Sequence, residues 1–425
     1  MAAFTFLHAA DIHLDSPLRR LSQFGETSAE TLRSATRVAL RNLVDLAIAE
    51  SVAFVIVAGD VYDGDWDDAR TGLFMAQQMG RLRERRIPVF LIHGNHDAAT
   101  KMTFNVPFPD NVVVFGHKKP ETRRLESVDV AIHGQSFARQ SVTENLARSY
   151  PDAVPNVFNI GILHTSLDGR EGHEPYAPCT VEDLAAKQYD YWALGHVHTR
   201  EIVSERPWIV FPGNPQGRSI RETGPRGAML VTVDDSGSGA ASVRAEFRPL
   251  DAARWLRVEI DASSAASAEG LLDLVRDRLA RIRQEHDCRT LVVRLAVTGR
   301  SPWSDAWIGD DKRWDFELRA IAAQSDDDLV IDKIRFLTES PAGAAAPDDD
   351  DPMAAIEEAV DEYRRDPALL QSLVAGLAAD LGNKLPPELL RGEEPLAIDE
   401  SFLAAILDEV GPSLRVRLTS PDSTE

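Results

Sequence analysis

Cysteine is nearly missing: Cys179 and Cys288 are the only two in 425 residues, and they lie far apart. Two distant thiols build neither a disulfide framework nor a CxxC metal site. Inert thiols in a reducing cytoplasm are the expectation. Long apolar runs are missing too, and none approaches the roughly 18 to 20 residues that span a bilayer. The N-terminus lacks a basic segment and a cleavage site, and Phe4-Thr5-Phe6-Leu7 reads directly as a strand, so no secretory signal is expected. There is no GxxxxGKS or GxxxxGKT segment, which removes a P-loop nucleotide site. Positive charge is also short, with a net charge of −22. Residues 1–250 carry 26 Lys and Arg against 31 Asp and Glu, and residues 251–425 carry 20 against 37. So acidic a chain is a poor nonspecific polyanion binder. Any contact with nucleic acid needs a local basic patch or the help of divalent metal.

What is there begins as alternating strands and helices. Residues 4–10 read as a strand that runs straight into Asp11-Ile12-His13. On an extended segment residues i and i+2 share a face, so Asp11 and His13 are expected to reach one ion together. Leu32, Val38, Leu43, Val44 and Leu46 have helical spacing within residues 28–50. Val52-Ala53-Phe54-Val55-Ile56-Val57 is the unbroken run of a strand covered on both faces, and it ends in Gly59-Asp60-Val61-Tyr62-Asp63. A helix over 70–85 and a strand over 88–92 lead to His93-Gly94-Asn95-His96-Asp97, which reads as a polar turn. Shorter strands follow at 111–115, 128–132 and 157–163, the last ending at His164. A short helix over 180–188 and a strand over 189–194 lead to Gly195-His196-Val197-His198. Strands at 200–204, 207–211, 227–233 and 242–248 close a second sheet. Two facing sheets with helices outside make a four-layer αββα sandwich.

The first domain is therefore expected over 1–250. Residues 251–340 read as a small α/β domain, with strands at 255–261, 289–297 and 329–337 and a helix at 266–285. Residues 341–352, ending in four aspartates, are a linker by composition. Residues 353–425 read as amphipathic helices, the third of them carrying Phe402, Leu403, Ile406 and Leu407.

Asp11, His13, Asp60, Asn95, His164, His196 and His198 fall at predicted strand ends, where open α/β sheets bind ligands. All are oxygen or imidazole donors, which suits Mn²⁺, Fe²⁺ or Zn²⁺ and argues against Mg²⁺ or Ca²⁺ alone. Seven donors are too many for one tetrahedral ion and divide naturally between two ions. Bimetallic hydrolytic sites hold their ions about 3.5–4 Å apart with shared ligands and use them to polarise an ester.

The ordered set Asp-x-His, Gly-Asp-x-x-Asp, Gly-Asn-His-Asp, His and Gly-His-x-His resembles that of the calcineurin-like metallophosphoesterases. Within them it looks like the DNA-repair exonuclease branch that holds SbcD. Asp11-Ile12-His13-Leu14-Asp15-Ser16-Pro17-Leu18 and Phe211-Pro212-Gly213-Asn214-Pro215-Gln216-Gly217-Arg218 look most like the bacterial YhaO type. The motifs cover residues 4 to about 233. The resemblance implies a two-metal DNA phosphodiesterase, a manganese-dependent 3′–5′ exonuclease of DNA repair. By that resemblance Asp11, His13, Asp60 and His198 hold one ion, and Asp60, Asn95, His164 and His196 the other. His96 then faces the scissile phosphate, and Asp63 and Asp97 orient the ligands or His96. One departure is plain: nuclease subunits of this branch often carry a second active-site histidine where this chain has Asp63.

Arg218, Arg221 and Arg226 follow the last ligand motif and are candidates to meet the DNA backbone. Lys118-Lys119 with Arg123-Arg124 form a second basic patch. Trp303, Trp307 and Trp314 are expected in core or interdomain packing rather than in base stacking. In the family, the domain after the phosphoesterase core caps the DNA cleft, and C-terminal helices dock on an SMC-like ATPase of the SbcC type. Residues 251–340 and 353–425 are placed for those jobs, and a homodimer is compatible with them. Two rivals remain at this stage: a phosphodiesterase or phosphatase for nucleotides or small esters, and a non-catalytic subunit that binds DNA or the ATPase.

Overall fold

The structure is a computed structural model that describes residues 3–16, 26–63, 69–99, 107–169, 176–234, 242–286, 289–340 and 352–382, with residues 384, 402–403 and 406–407. The chain divides into two compact units, residues 1–256 with 288–292, and residues 257–287 with 293–425.

The first unit is built on strands whose alternate residues face opposite ways. β1 (Phe4–Ala9) is followed by helix α1 (Glu26–Ala49), β2 (Phe54–Ala58), α2 (Arg70–Glu84), β3 (Val89–Ile92), the short helix α3 (Asn95–Ala99) and β4 (Val112–Val114). After these come β5 (Glu121–Leu125), β6 (Val130–Gly134), β7 (Phe158–His164), the short α4 (Val181–Ala185), β8 (Tyr191–Gly195), β9 (Glu201–Glu205), β10 (Trp208–Phe211), β11 (Gly227–Asp234) and β12 (Ser242–Pro249). One sheet has the order β12-β11-β1-β2-β3-β4 and the other β5-β6-β7-β8-β10-β9. β1 to β4 run parallel, as do β6, β7, β8 and β10.

Phe6, Phe54, Ile56, Phe90 and Ile92 of the first sheet are buried in one cluster with Ile132, Phe158, Ile160, Tyr191 and Val210 of the second. Their neighbours point the other way. Leu7, Val55, Val57 and Leu91 pack under Leu40, Leu43, Met75 and Met79 of α1 and α2. Leu163, Trp192, Leu194, Ile209 and Phe211 pack under Tyr150 and Leu184. This is the four-layer sandwich, with one difference from the expected plan. The outer cover of the second sheet is thin, a single turn at 147–149 and the five-residue α4, which is shorter than the short helix expected over 180–188. Aromatic bulk compensates there: the Trp192 ring stacks on Tyr189 at 4.9 Å.

The second unit takes up β13 (Ala253–Asp261) from residue 257, α5 (Gly270–Glu285), β14 (Thr290–Arg300) from residue 293, α6 (Ser304–Gly309), α7 (Asp311–Ser325) and β15 (Leu329–Glu339), and the three strands form a sheet in the order β13-β14-β15. Trp307 and Trp314 are buried and donate to the carbonyls of Ala268 and Ala306, as core tryptophans do. Helices α8 (Pro352–Arg365) and α9 (Pro367–Gly382) follow. Nearly all of the linker expected at 341–352 lies outside the described residues, as does Cys288, and of the third C-terminal helix only residues 402–403 and 406–407 are described. Among the described residues no helix is long and apolar enough to cross a membrane.

The two sheets meet through Phe6. Its ring stacks on Phe54 at 4.9 Å and takes the edge of Tyr191 from the opposite sheet at 5.3 Å. Phe6→Ala is expected to cost about 3–5 kcal/mol of stability, read as a lowered urea midpoint; a loss under about 1 kcal/mol would contradict this account of the core.

Candidate metal centre

Because β1, β2, β3, β7 and β8 are parallel within their sheets, their carboxyl ends bring five loops to one edge of the sandwich. Asp11 and His13 leave β1, Asp60 and Asp63 leave β2, and His164 is the last residue of β7. His196 and His198 leave β8. Asn95, His96 and Asp97 lie in the first turn of α3, so the stretch expected as a plain turn is a helix start.

The reason Asp11 and His13 converge also differs from the extended-strand expectation. Both are left-handed, with φ of 52° and 45°, as is Asp60 at 50°, and His196 has φ 99°. Such backbone is disfavoured for these residues and persists only where the surroundings enforce it. Here the β1 and β2 loops are laced together: the amides of Asp11, His13 and Leu14 donate to the carbonyls of Gly59, Asp60 and Val61 at 2.9–3.0 Å. The Asp97 carboxylate accepts from the amides of Val61, Tyr62 and Gly94 at 3.0–3.1 Å. Asp97 thus braces the loops that carry Asp60 and Asn95, and no direct bond from it to the His96 ring is seen. Close approach needs glycine at two points. A Cβ on Gly94 would lie 2.2 Å from Asp60 Oδ1, and one on Gly195 would lie 2.0 Å from the carbonyl oxygen of Ala58.

Among the described residues the possible ligands gather into three groups, Asp11 with His13 and His198, Asp60 with His164 and His196, and His13 with Asp63 and His96. In the second, His164 Nδ1 bonds the Ala58 carbonyl at 2.9 Å, so the ring donates there and its Nε2 carries a lone pair. That Nε2 faces Asn95 Oδ1 at 2.9 Å and Asp60 Oδ2 at 3.2 Å. Three electron-rich atoms meet in a buried place, and only a positive charge reconciles them. A proton is one solution: burial pulls His164 down, but the charge of Asp60 outweighs it and moves the ring up to about 9. A divalent cation is the other, and it displaces the proton.

In the first cluster, His13 Nε2 and His198 Nε2 stand 3.1 Å apart. Two nitrogens bound to one ion at about 2.1 Å each, near a right angle, lie about 3 Å apart. The other nitrogen of His198, Nδ1, sits 2.7 Å from Glu222 Oε1. Burial pushes Asp11 up to about 6, partly countered by His164 and His198. Asp60 is held below the usual carboxylate range, because the His164 and His96 imidazoles overcome its burial. The donor set fits two divalent ions of the borderline first-row kind.

Beside these clusters, His96 Nδ1 lies 2.9 Å from Asp63 Oδ1, and its amide donates to Asp60 Oδ1 at 3.0 Å. The His96 ring meets the His13 ring edge-on at 4.8 Å. Sequence reasoning missed Glu222 and Ser16. Glu222 is buried beside His198, and the Ser16 hydroxyl donates to Asp63. An acid among arginines gives no signal of burial. Arg226, a candidate for DNA contact, is instead buried and structural, donating to the carbonyl of His198, to Asn214 Oδ1 and to the carbonyl of Thr223. Arg218 is only 10 % exposed and lies 3.5 Å from Asp63, whereas Arg221 is exposed.

A family model for calcineurin-like phosphoesterases matches residues 4–200, and one for the middle domain of metallophosphoesterase YhaO matches residues 255–339. The metallophosphoesterase YhaO of Bacillus subtilis, itself described as uncharacterized, is 36% identical over 302 residues, 70% of this chain and 72% of that protein. The DNA double-strand break repair protein Mre11 of Sulfurisphaera tokodaii is 28% identical over 211 residues, 48% of this chain and 51% of that protein. Among solved structures, a dimetal phosphatase from Danio rerio aligns with a TM-score of 0.32 and 12% identity, over 58% of this chain and 97% of that one. The chain belongs to the calcineurin-like metallophosphoesterases, and within them to the YhaO type. It is a hydrolase of phosphate esters that uses divalent metal.

Asn95 and His96 are neighbours with different surroundings, and substitution separates them. Asn95→Ala is expected to weaken one ion by about 10-fold or more, with the other retained. His96→Ala should keep both ions and lose about 100-fold or more of kcat. Metal analysis after dialysis checks both, and loss of an ion from His96→Ala would contradict the assignment.

Proposed function

We propose that this metallophosphoesterase is a DNA phosphodiesterase, a manganese-dependent 3′–5′ exonuclease of DNA repair working in the cytoplasm. The observation that carries a phosphodiester reading is the Asp63–His96 pair set against His13. With Nδ1 given to Asp63, Nε2 is the nitrogen that meets the leaving 3′ oxygen and protonates it. Asp11, His13 and His198 would hold one ion, and Asn95, His164 and His196 the other, with Asp60 shared. Such ions neutralise phosphate charge and activate water when bound. The protein contributes position: the Asp97 brace and the laced β1 and β2 loops hold the donors before substrate arrives, so little reorganisation is left for the reaction.

The likeness to the Mre11 repair protein supports DNA as the substrate. A route for the strand is offered by exposed Lys118, Lys119, Arg123 and Arg124. Glu121 at the start of β5 pairs with Gly134 at the end of β6, beside the β7 strand that carries His164, so the two lysines lie at the metal end of the sheet. Arg221 is a further candidate. Contacts of this kind would add affinity without sequence choice and would weaken with salt. By the same reading, helices α8 and α9 dock on an SMC-like ATPase, and the protein works as a dimer of two such chains.

The test is an assay with Mn²⁺ on end-labelled duplex DNA, single-stranded DNA and a chromogenic phosphodiester, beside His96→Ala and Asp60→Asn. Shortening of DNA from its 3′ end, lost by about 100-fold or more in both variants, is the expected result. Ester cleavage with intact DNA would move the substrate to nucleotides or small esters. DNA binding with no turnover of any substrate, even with the ATPase supplied, would make the chain a non-catalytic subunit.

A further inference from the structure

Two carboxylates stand behind the imidazoles of the centre, and one arginine stands between them. Asp63 holds His96, and Glu222 holds His198. Glu222 is almost fully buried. Its Oε2 accepts the Arg218 amide at 2.6 Å and the Asn214 side-chain amide at 2.9 Å. The guanidinium of Arg218 then divides. Nη1 lies 3.5 Å from Asp63 Oδ2, and Nη2 lies 3.5 Å from Glu222 Oε1 and 3.3 Å from His198 Nδ1. The result is a continuous row, His96–Asp63–Arg218–Glu222–His198.

We propose that Arg218 and Glu222 are positioning residues: the guanidinium fixes Asp63 and Glu222 together, and through them orients the phosphate-facing ring of His96 and the metal-facing ring of His198. Two carboxylates, Glu222 buried and Asp63 half-buried, that each orient an imidazole would otherwise repel one another. A planar guanidinium with separate nitrogens aimed at each holds both at once. Glu222 does for His198 what an outer carboxylate does for a metal-bound histidine: it accepts the hydrogen bond from Nδ1–H and leaves Nε2 for the ion. Arg218 therefore does its work inside the centre, whatever else it meets when substrate arrives. Asp63 is what makes this row available. The proposal rests on reading His96 as the phosphate-facing group, but its Glu222 half concerns metal binding alone.

The test uses the full-length protein, titrated with Mn²⁺ by calorimetry and assayed on bis(p-nitrophenyl) phosphate, for Glu222→Gln, Arg218→Met and Arg218→Lys. Glu222→Gln and Arg218→Met are each expected to weaken one of the two ions by about 10–100-fold. At saturating Mn²⁺, kcat should fall about 10-fold or more with KM within about 3-fold of the parent. Arg218→Lys, which keeps the charge but reaches one carboxylate, should fall between. Unchanged Mn²⁺ binding in both Glu222→Gln and Arg218→Met overturns the proposal. A raised KM with unchanged kcat and unchanged metal binding in Arg218→Met also overturns it, since that marks a direct phosphate contact. If Arg218→Met does not fold, the near-isosteric Glu222→Gln and the charge-conserving Arg218→Lys decide by the same measures. A parent protein that cleaves the ester but not DNA sinks the DNA reading and leaves this test intact.

Discussion

His164 commits one ring nitrogen to the carbonyl of Ala58 and turns the other on Asn95 and Asp60. Much of the first unit can be understood from that arrangement. A buried imidazole lone pair among oxygen atoms is costly unless a positive charge joins them. The contact exists only because β2, β3, β7 and β8 end together and because Gly94 and Gly195 let their loops touch. The strained Asp11, His13 and Asp60 backbones belong to the same account. Two six-stranded sheets and their aromatic interior supply the rigidity that keeps those residues in conformations they would leave if free.

Charge frames the function. The chain is strongly acidic overall, and the centre adds Asp11, Asp60, Asp63, Asp97 and Glu222 in a small volume. A phosphate ester could not approach such a group of carboxylates unaided. Arg218 offsets part of the charge, and divalent ions offset the rest. Ions bound there would make the site habitable for an anion, so metal binding and substrate binding would be one electrostatic problem.

Much of this was legible in the sequence. The unbroken run at 52–57 read as a strand covered on both faces, which β2 is, and the ligand motifs fell at predicted strand ends. What could not be read were features set by tertiary geometry. The left-handed backbones at Asp11 and His13 break the two-residue rule that suggested their pairing, yet still bring them together. Asn95, His96 and Asp97 begin a helix because Asp97 caps neighbouring amides across a loop, a long-range contact. Glu222 looked like one more charge among arginines, and Arg226 like a surface cation, because nothing local tells a buried salt-linked side chain from a solvated one. The thin outer layer over the second sheet escaped for a similar reason, since Trp192 and Tyr189 do part of the covering from within.

We propose that these strand ends form one site for two ions that share Asp60. Electron paramagnetic resonance of the protein loaded with Mn²⁺ tests it most directly, together with metal analysis of the same sample. Two ions per chain with the exchange-coupled signal of a pair about 3.5–4 Å apart is the predicted result. One ion per chain, or two with the signal of isolated Mn²⁺, would contradict it.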